Sequence, residues 1–410
     1  MSEQPMAEKR LVIIGAGYAA LALARSLGKQ SGLSITMLTN KSYLEYYPTL
    51  YRVAVGYTSN QTCIPLTDIL AGTKVEVKSE QVTGINFQEK KVATQSGTEY
   101  GYDYLLIAVG SETNYFGIPG MAEQSFSFKS TVDALKLRAR ITEMIKFATT
   151  ATPEEAEIAT RFVVVGSGPT GTELSSELLE YAQGIAKENA LDPQLIKIEM
   201  IEAVARVLPT MSEAASAKVA TRLGARGVTV HLNTAVATLQ GDDLQFKEGG
   251  LKTKTVIWTA GVKTNALIGT LGIELDKRGR VVVDEYLQAK GFTGVFVAGD
   301  AASTQYAGTA QTAQSDGFYV ATAIKEDLQS TANRTPYVAH QPIYAIPVGP
   351  SWGVVQWGTK NYYGFTGFTL RRLADLRYFM SILPFGKALA VWGKHNAKGE
   401  EFSMLPTEAK

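Results

Sequence analysis

The residues best placed to do chemistry sit in two glycine-rich turns. Leu11–Ala20 reads LVIIGAGYAA and Phe162–Gly171 reads FVVVGSGPTG. Each is a short β-branched run, a Gly-x-Gly turn and then a helix-forming segment. Such a turn lets the chain reverse at the carboxyl end of a strand and approach a pyrophosphate closely. The helix that follows supplies N–H donors and positive potential. One such turn is a weak signal. Two of them about 150 residues apart, each after a strand and before a helix, predict two dinucleotide sites.

In the first turn Gly15 and Gly17 are followed by Ala20, small enough for the helix–strand packing that the third position needs. The next strand, Ser34–Leu38, ends in Thr39 and Asn40. Both can hydrogen-bond a ribose hydroxyl, and neither carries charge. Far downstream, Gly294–Ala302 reads GVFVAGDAA, a buried strand that ends in Gly-Asp and runs into small residues that start a helix. Asp300 alone would pass for a helix N-cap. Coupled to the N-terminal turn and to Leu105–Gly110 (LLIAVG), it predicts an acceptor for the ribityl chain of a flavin. Gly110 closes that second segment, and FAD is the cofactor expected there.

In the second turn Gly166, Gly168 and Gly171 are all present. Glu173 follows in the first helical turn. It either complements the helix dipole or lines the cleft where a nicotinamide would meet the flavin. A helical pattern of roughly 20 residues, about 30 Å, runs from Pro169 to about Asn189. The strand Ile196–Ile201 therefore starts late, and Glu202 ends it 31 residues after Gly171. A carboxylate there accepts from both ribose hydroxyls and repels a 2′-phosphate, which favours NADH over NADPH. The nearby basic Arg206 argues the other way.

These motifs need elements to hold them, and the composition allows two or three domains. The chain has 410 residues, 45% of them hydrophobic and 19% charged, which is ordinary globular usage. Forty Lys+Arg against 39 Asp+Glu give a net charge of +1, so no nucleic-acid partner is expected. A single cysteine, Cys63, excludes an internal disulfide or a CxxC redox centre. Three scattered histidines make a His-rich metal site improbable, and no metal is expected. The N-terminal MSEQPMAEKR is polar and shows no signal peptide. The longest apolar run, Leu11 to Ala24, is too short to span a bilayer, which needs about 20 apolar residues.

The fold class expected is α/β, with two Rossmann-like domains and a small C-terminal region. Residues 1–120 and 286–335 form a discontinuous FAD domain, 121–285 an NADH domain and 336–410 the C-terminal region. Between Lys360 and Lys398 stand seven Lys/Arg and one acid, Asp375. Leu373, Leu376, Phe379, Met380 and Leu383 interleave at helical spacing. A basic stretch with aromatics of this kind suits attachment to a membrane surface, although a core-facing helix has the same period.

Taken together, these residues resemble the type II NADH dehydrogenases, the single-subunit, non-proton-pumping NADH:quinone oxidoreductases. The likeness covers nearly the whole chain. It includes LEYYPTLYRVAVG at 44–56, EAVARVLP at 202–209, IWTAGV at 257–262 and AQTAQS at 310–315. The family's quinone motif is Ala-Gln-x-Ala-x-Gln. Gln311 and Ala313 match it, Ser315 stands at the second Gln, and Gln314 is one residue away. The resemblance implies a non-covalent FAD that accepts hydride from NADH and passes electrons to a quinone. It assigns Ala310 to FAD, Gly261 to NADH, Glu173 and Gln311 to catalysis, and Gln311, Gln314 and Ser315 to quinone. It also implies a homodimer attached peripherally to the cytoplasmic face of the cell membrane through its C-terminal region. A reductase of a soluble electron carrier, or an NADH sensor resembling apoptosis-inducing factor, shares both turns. A sulfide:quinone oxidoreductase needs a cysteine pair that Cys63 alone does not supply.

Overall fold

The computed structural model describes residues 8–329 and 334–399. The outer parts of the expected N-terminal and C-terminal regions, 1–7 and 400–410, lie outside the described residues.

Two parallel sheets organise the chain. The first contains β1 (Lys9–Ile14), β2 (Leu33–Thr39), β3 (Glu76–Ser79), β4 (Tyr104–Ile107) and, from far downstream, β10 (Val295–Val297). Its order is β10-β4-β1-β2-β3. β1 has Leu11 to Ile14 all buried, because a central parallel strand is covered on both faces. Helix α1 (Tyr18–Leu27) covers one face and is itself apolar almost all round. The second sheet contains β5 (Phe126–Ser127), β6 (Arg161–Val165), β7 (Lys197–Ile201), β8 (Val228–His231) and β9 (Thr255–Trp258), in the order β5-β9-β6-β7-β8. Helices α2 (Thr131–Ala148), α3 (Pro169–Glu188) and α4 (Glu213–Ala225) pack on it.

The strand order reverses beside β1 in one sheet and beside β6 in the other. Ile14 sits opposite Leu38 and Ile107, and Val165 sits opposite Ile201 and Trp258. Each glycine turn thus leaves a central strand at its carboxyl end, beside a switch point where open α/β sheets bind ligands. A short antiparallel pairing of Ser111–Thr113 with Val262–Thr264 joins the two units.

The GVFVAGDAA segment departs from expectation. Its Gly299–Ala301 forms one 3-10 turn, not the start of a long helix. The helix comes later, as α5 (Ala310–Leu328), with the Thr309 side chain capping Thr312 N–H. α5 lies against α1 so closely that a Cβ on Gly317 would stand 2.2 Å from the Ala19 carbonyl oxygen.

The C-terminal region is a three-stranded antiparallel sheet, β11 (Tyr344–Pro347), β12 (Gly353–Trp357) and β13 (Lys360–Tyr363), followed by α6 (Gly364–Ile382) and α7 (Phe385–Gly393). The expected single apolar stripe is split. Phe379 and Leu383 enter the core of the first unit with Ile382 and Ala388, while Leu373 and Met380 face outward. The buried stripe of α6 also carries Arg371 and Asp375. They pair with each other, so neither charge is buried alone.

Candidate active site

A cleft enclosing about 870 Å³ of empty space, its open mouth included, lies over the carboxyl end of the first sheet. Gly15, Gly17, Thr39, Asn40, Gly110 and Asp300 all line it. Gly15 has φ +103°, and a Cβ there would stand 2.4 Å from the Ala108 carbonyl oxygen. The cradle therefore accepts no side chain and leaves room for a phosphate backbone. Ala20 lies beneath the turn with no exposed surface. Ala310 is not among the lining residues; Ala313, one turn further along α5, reaches the cleft instead.

Asp300 is held by a neighbouring hydroxyl. Ser111 donates its hydroxyl to Asp300 Oδ2 at 2.5 Å. Behind it, the buried Asp316 accepts the Gly299 N–H at 2.9 Å and the Tyr337 hydroxyl at 2.6 Å. Burial pushes the Asp316 carboxyl up to about 6, against those two hydrogen bonds. Asp316 therefore locks the 3-10 turn to α5.

The second turn repeats the first. Gly166 has φ +104° and touches Ala260, and a Cβ on Gly171 would lie 1.9 Å from the Gly166 carbonyl oxygen. A Cβ on Gly168 would meet only open space. Glu202 accepts the Ser167 N–H at 2.9 Å and the Ser167 hydroxyl at 2.6 Å through Oε2, and the Val204 N–H at 3.1 Å through Oε1. The carboxylate is thereby fixed at the end of β7, beside the glycine turn. Arg206 is spent on the backbone carbonyls of Met211 and Pro209, so its guanidinium is drawn toward that loop. Gly261, with φ +75°, sits after β9 against the Phe116 ring.

Glu173 falls in the second turn of α3, past the first turn expected for it, because the helix begins at Pro169; it is 7% exposed. Burial pushes its carboxyl up to about 8, with Asp375 and Glu177 adding to the rise and Arg371 opposing it. This proton-holding acid stands beside a buried ionic network that the sequence did not reveal. Tyr46 donates to Asp375 at 2.5 Å, and Arg371 donates to the Pro48 carbonyl at 2.9 Å. Arg372 donates to His395 Nδ1 at 2.8 Å, so that ring nitrogen is unprotonated. Burial and the guanidiniums of Arg52, Arg372 and Arg371 hold His395 down to about 3.

The quinone-motif residues diverge. The Gln311 amide pairs in both directions with the Ile343 backbone, at 2.9 and 3.0 Å. Gln314 donates to Ser381 on α6 at 3.0 Å. Ser315 opens into a second cavity, with Tyr319, Tyr337 and His340. Lys41, Glu45, Ser111 and Lys129 line the first cleft although no glycine motif announces them. Glu45 lies inside the quoted LEYYPTLYRVAVG segment. Lys129 lies in no motif and comes from the stretch between β5 and α2. Cys63 is buried and free, its thiol pushed up to about 12 by burial.

The family model for pyridine nucleotide-disulphide oxidoreductases matches residues 9–317, which fixes the class of this two-sheet chain. Over 406 residues it is 30% identical to the type II NADH:quinone oxidoreductase NdhA of Mycobacterium tuberculosis, covering 94% of this chain and 86% of that one. It is 31% identical over 397 residues to the type II NADH:quinone oxidoreductase of Staphylococcus haemolyticus, with coverage of 93% and 97%. Among solved structures, NDH2 from Plasmodium falciparum in complex with NADH superposes with a TM-score of 0.85 at 17% identity, covering 94% and 97% of the chains. The sulfide:quinone oxidoreductase of Aquifex aeolicus shares the fold at a TM-score of 0.75 and 19% identity, covering 94% and 92%. Within its class, the chain belongs to the type II NADH:quinone oxidoreductases.

Proposed function

We propose that the chain binds FAD non-covalently in the first cleft and NADH at the second glycine turn, and passes electrons to a membrane quinone without pumping protons. The observation that carries this is the pair of switch-point turns on two linked sheets, the first sharing its cleft with the fixed Asp300 after β10 and the second bonded to the fixed Glu202 at the end of β7. The lining fits FAD: the Gly15 cradle suits a pyrophosphate, Thr39 and Asn40 suit a ribose, and Asp300 suits a ribityl chain. FAD bound there would supply hydride acceptance from NADH and electron delivery to quinone. The chain's own residues bind and orient both nucleotides. Glu173, its carboxyl pushed up to about 8 by burial, holds a proton at neutral pH and is the proton source assigned to quinol formation. A direct role for Gln311 at the quinone requires its amide to leave Ile343.

The outward side chains Phe365, Leu373, Met380, Phe385 and Leu389, beside the basic Arg377 and Lys387, support peripheral attachment to a membrane surface. No described helix is long and apolar enough to cross a membrane. NADH is supplied from the cytoplasm, so the proposal puts the protein on the cytoplasmic face.

The test is NADH oxidation by purified protein with a quinone, a ferredoxin or sulfide compared. Turnover should require the quinone. NADPH should be a poorer donor by about tenfold or more, roughly 1.4 kcal/mol, and Glu202→Ala should narrow that gap. Turnover with ferredoxin and none with quinone would favour the soluble-carrier reductase.

A further inference from the structure

The first cleft contains a cation that no nucleotide-binding pattern calls for. Lys129 lines the cleft although it belongs to the segment that enters the second sheet. Its backbone is pinned: its N–H donates to Asp133 Oδ2 at 3.0 Å, and the next-but-one N–H, of Thr131, donates to the buried Glu45 at 2.6 Å. Its ammonium donates to Ser111 Oγ at 3.1 Å and lies 5.0 Å from the centre of the Tyr47 ring. Among the described residues that is its one hydrogen bond, so two of its three N–H donors remain for the cleft. The other lysine there, Lys41, is already paired with Glu45.

The position along the cleft matters. Thr39 and Asn40 mark the ribose end, Gly15 the pyrophosphate and Asp300 the ribityl chain. Lys129 is joined to the Asp300 part of the cleft through Ser111. This is the end at which the flavin ring of a bound FAD belongs. A flavin that has taken a hydride carries one negative charge, because two electrons arrive with one proton. NADH leaves as NAD⁺, and the second proton needed for quinol comes later, from elsewhere.

We propose that Lys129 is the counter-cation of the reduced flavin, holding the reduced cofactor in its anionic form and raising its midpoint potential. This rests on the functional reading above. The groups facing the ammonium are Asp300, Glu45, Lys41 and Tyr47. Burial lowers the Lys129 pKa from its ordinary value, while Asp300 and Glu45 act to keep the proton on. A fixed cation in a half-buried cleft needs no reorganisation when the ring becomes charged, which is where such stabilisation is largest.

The test is potentiometric titration of the bound flavin in the full-length holoprotein. Lys129→Gln keeps a donor for Ser111 and removes the charge; Lys129→Arg keeps the charge. The Gln variant should lose at least tenfold in preference for reduced over oxidised FAD, a fall of about 30 mV for a two-electron couple. The Arg variant should stay near the wild type. A structural role alone would weaken FAD binding in both variants and leave the potential unmoved, and that result overturns the proposal. The wild type gives a second readout that needs no variant. Its reduced flavin should protonate at lower pH than free reduced FAD in the same buffer, read from the absorption spectrum; protonation at the same pH overturns the proposal. A protein that binds no flavin defeats the functional reading itself. One that binds flavin and turns over, with an unmoved potential, defeats only the role of Lys129.

Discussion

Glu173 shows how far a single residue can be read before its surroundings are known. Its place two residues past Gly171 was visible in the sequence, and so was its nearness to a cofactor turn. Its charge state was not, because burial sets it, and Arg371 and Asp375, which modify it along with Glu177, stand on α6, some 200 residues away. Buried as it is, the carboxyl keeps a proton up to about pH 8 that the unfolded chain releases near the ordinary value of 4.5. The native state therefore binds more protons between those values, and stability falls as pH rises through that window before levelling off. The slope is about 1.4 kcal/mol per pH unit at most. Glu173→Gln has no proton to lose. Urea unfolding should show it close to wild type in acid and more stable than wild type above about pH 8. Parallel pH profiles would contradict a neutral Glu173. Lys129 marks the other limit: its importance comes from where the chain crosses between the units, and no local spacing announces that.

At the scale of elements, the parallel strands and their glycine turns were legible because a buried strand must be an apolar run and a tight turn must be glycine. Helix α6 was only half legible. Its period is helical, but its apolar residues divide between two faces, and the buried one also holds Arg371 and Asp375. A charge cluster reads as solvated unless its partners are known, and Tyr46 and Pro48 lie more than 300 residues upstream. Asp375→Leu leaves the Arg371 charge buried without its partner and should cost about 3–5 kcal/mol, seen as a lower Tm. Adding Arg371→Met should recover most of that loss. A double variant as unstable as the single one would show that the pair does not act as a unit. Helix α5 offers a kinetic counterpart. With the Gln311 amide turning from Ile343 to the quinone, Gln311→Ala should leave flavin reduction by NADH intact and slow reoxidation by quinone, by the worth of a hydrogen bond, about 1–3 kcal/mol. The reverse pattern in stopped-flow would make Gln311 a flavin-site residue.

For the whole molecule, the C-terminal region has two tasks that pull on the same helices. Phe379, Ile382, Leu383 and Ala388 complete the core of the first unit. Deleting everything after Tyr363 would therefore unmake that core as well as any anchor. Substitution separates the two: Leu373→Gln with Phe385→Gln, both outward, should release the protein from anionic vesicles and leave the flavin bound. Undiminished binding to those vesicles would rule out this face as the contact. The central claim, that one chain carries electrons from NADH through a bound flavin to quinone, has a more direct test. Purified protein mixed rapidly with NADH in the absence of oxygen should lose its flavin absorbance. A second mixing with quinone should restore it at a rate that rises with quinone concentration. A flavin that NADH bleaches and quinone does not restore would contradict the account.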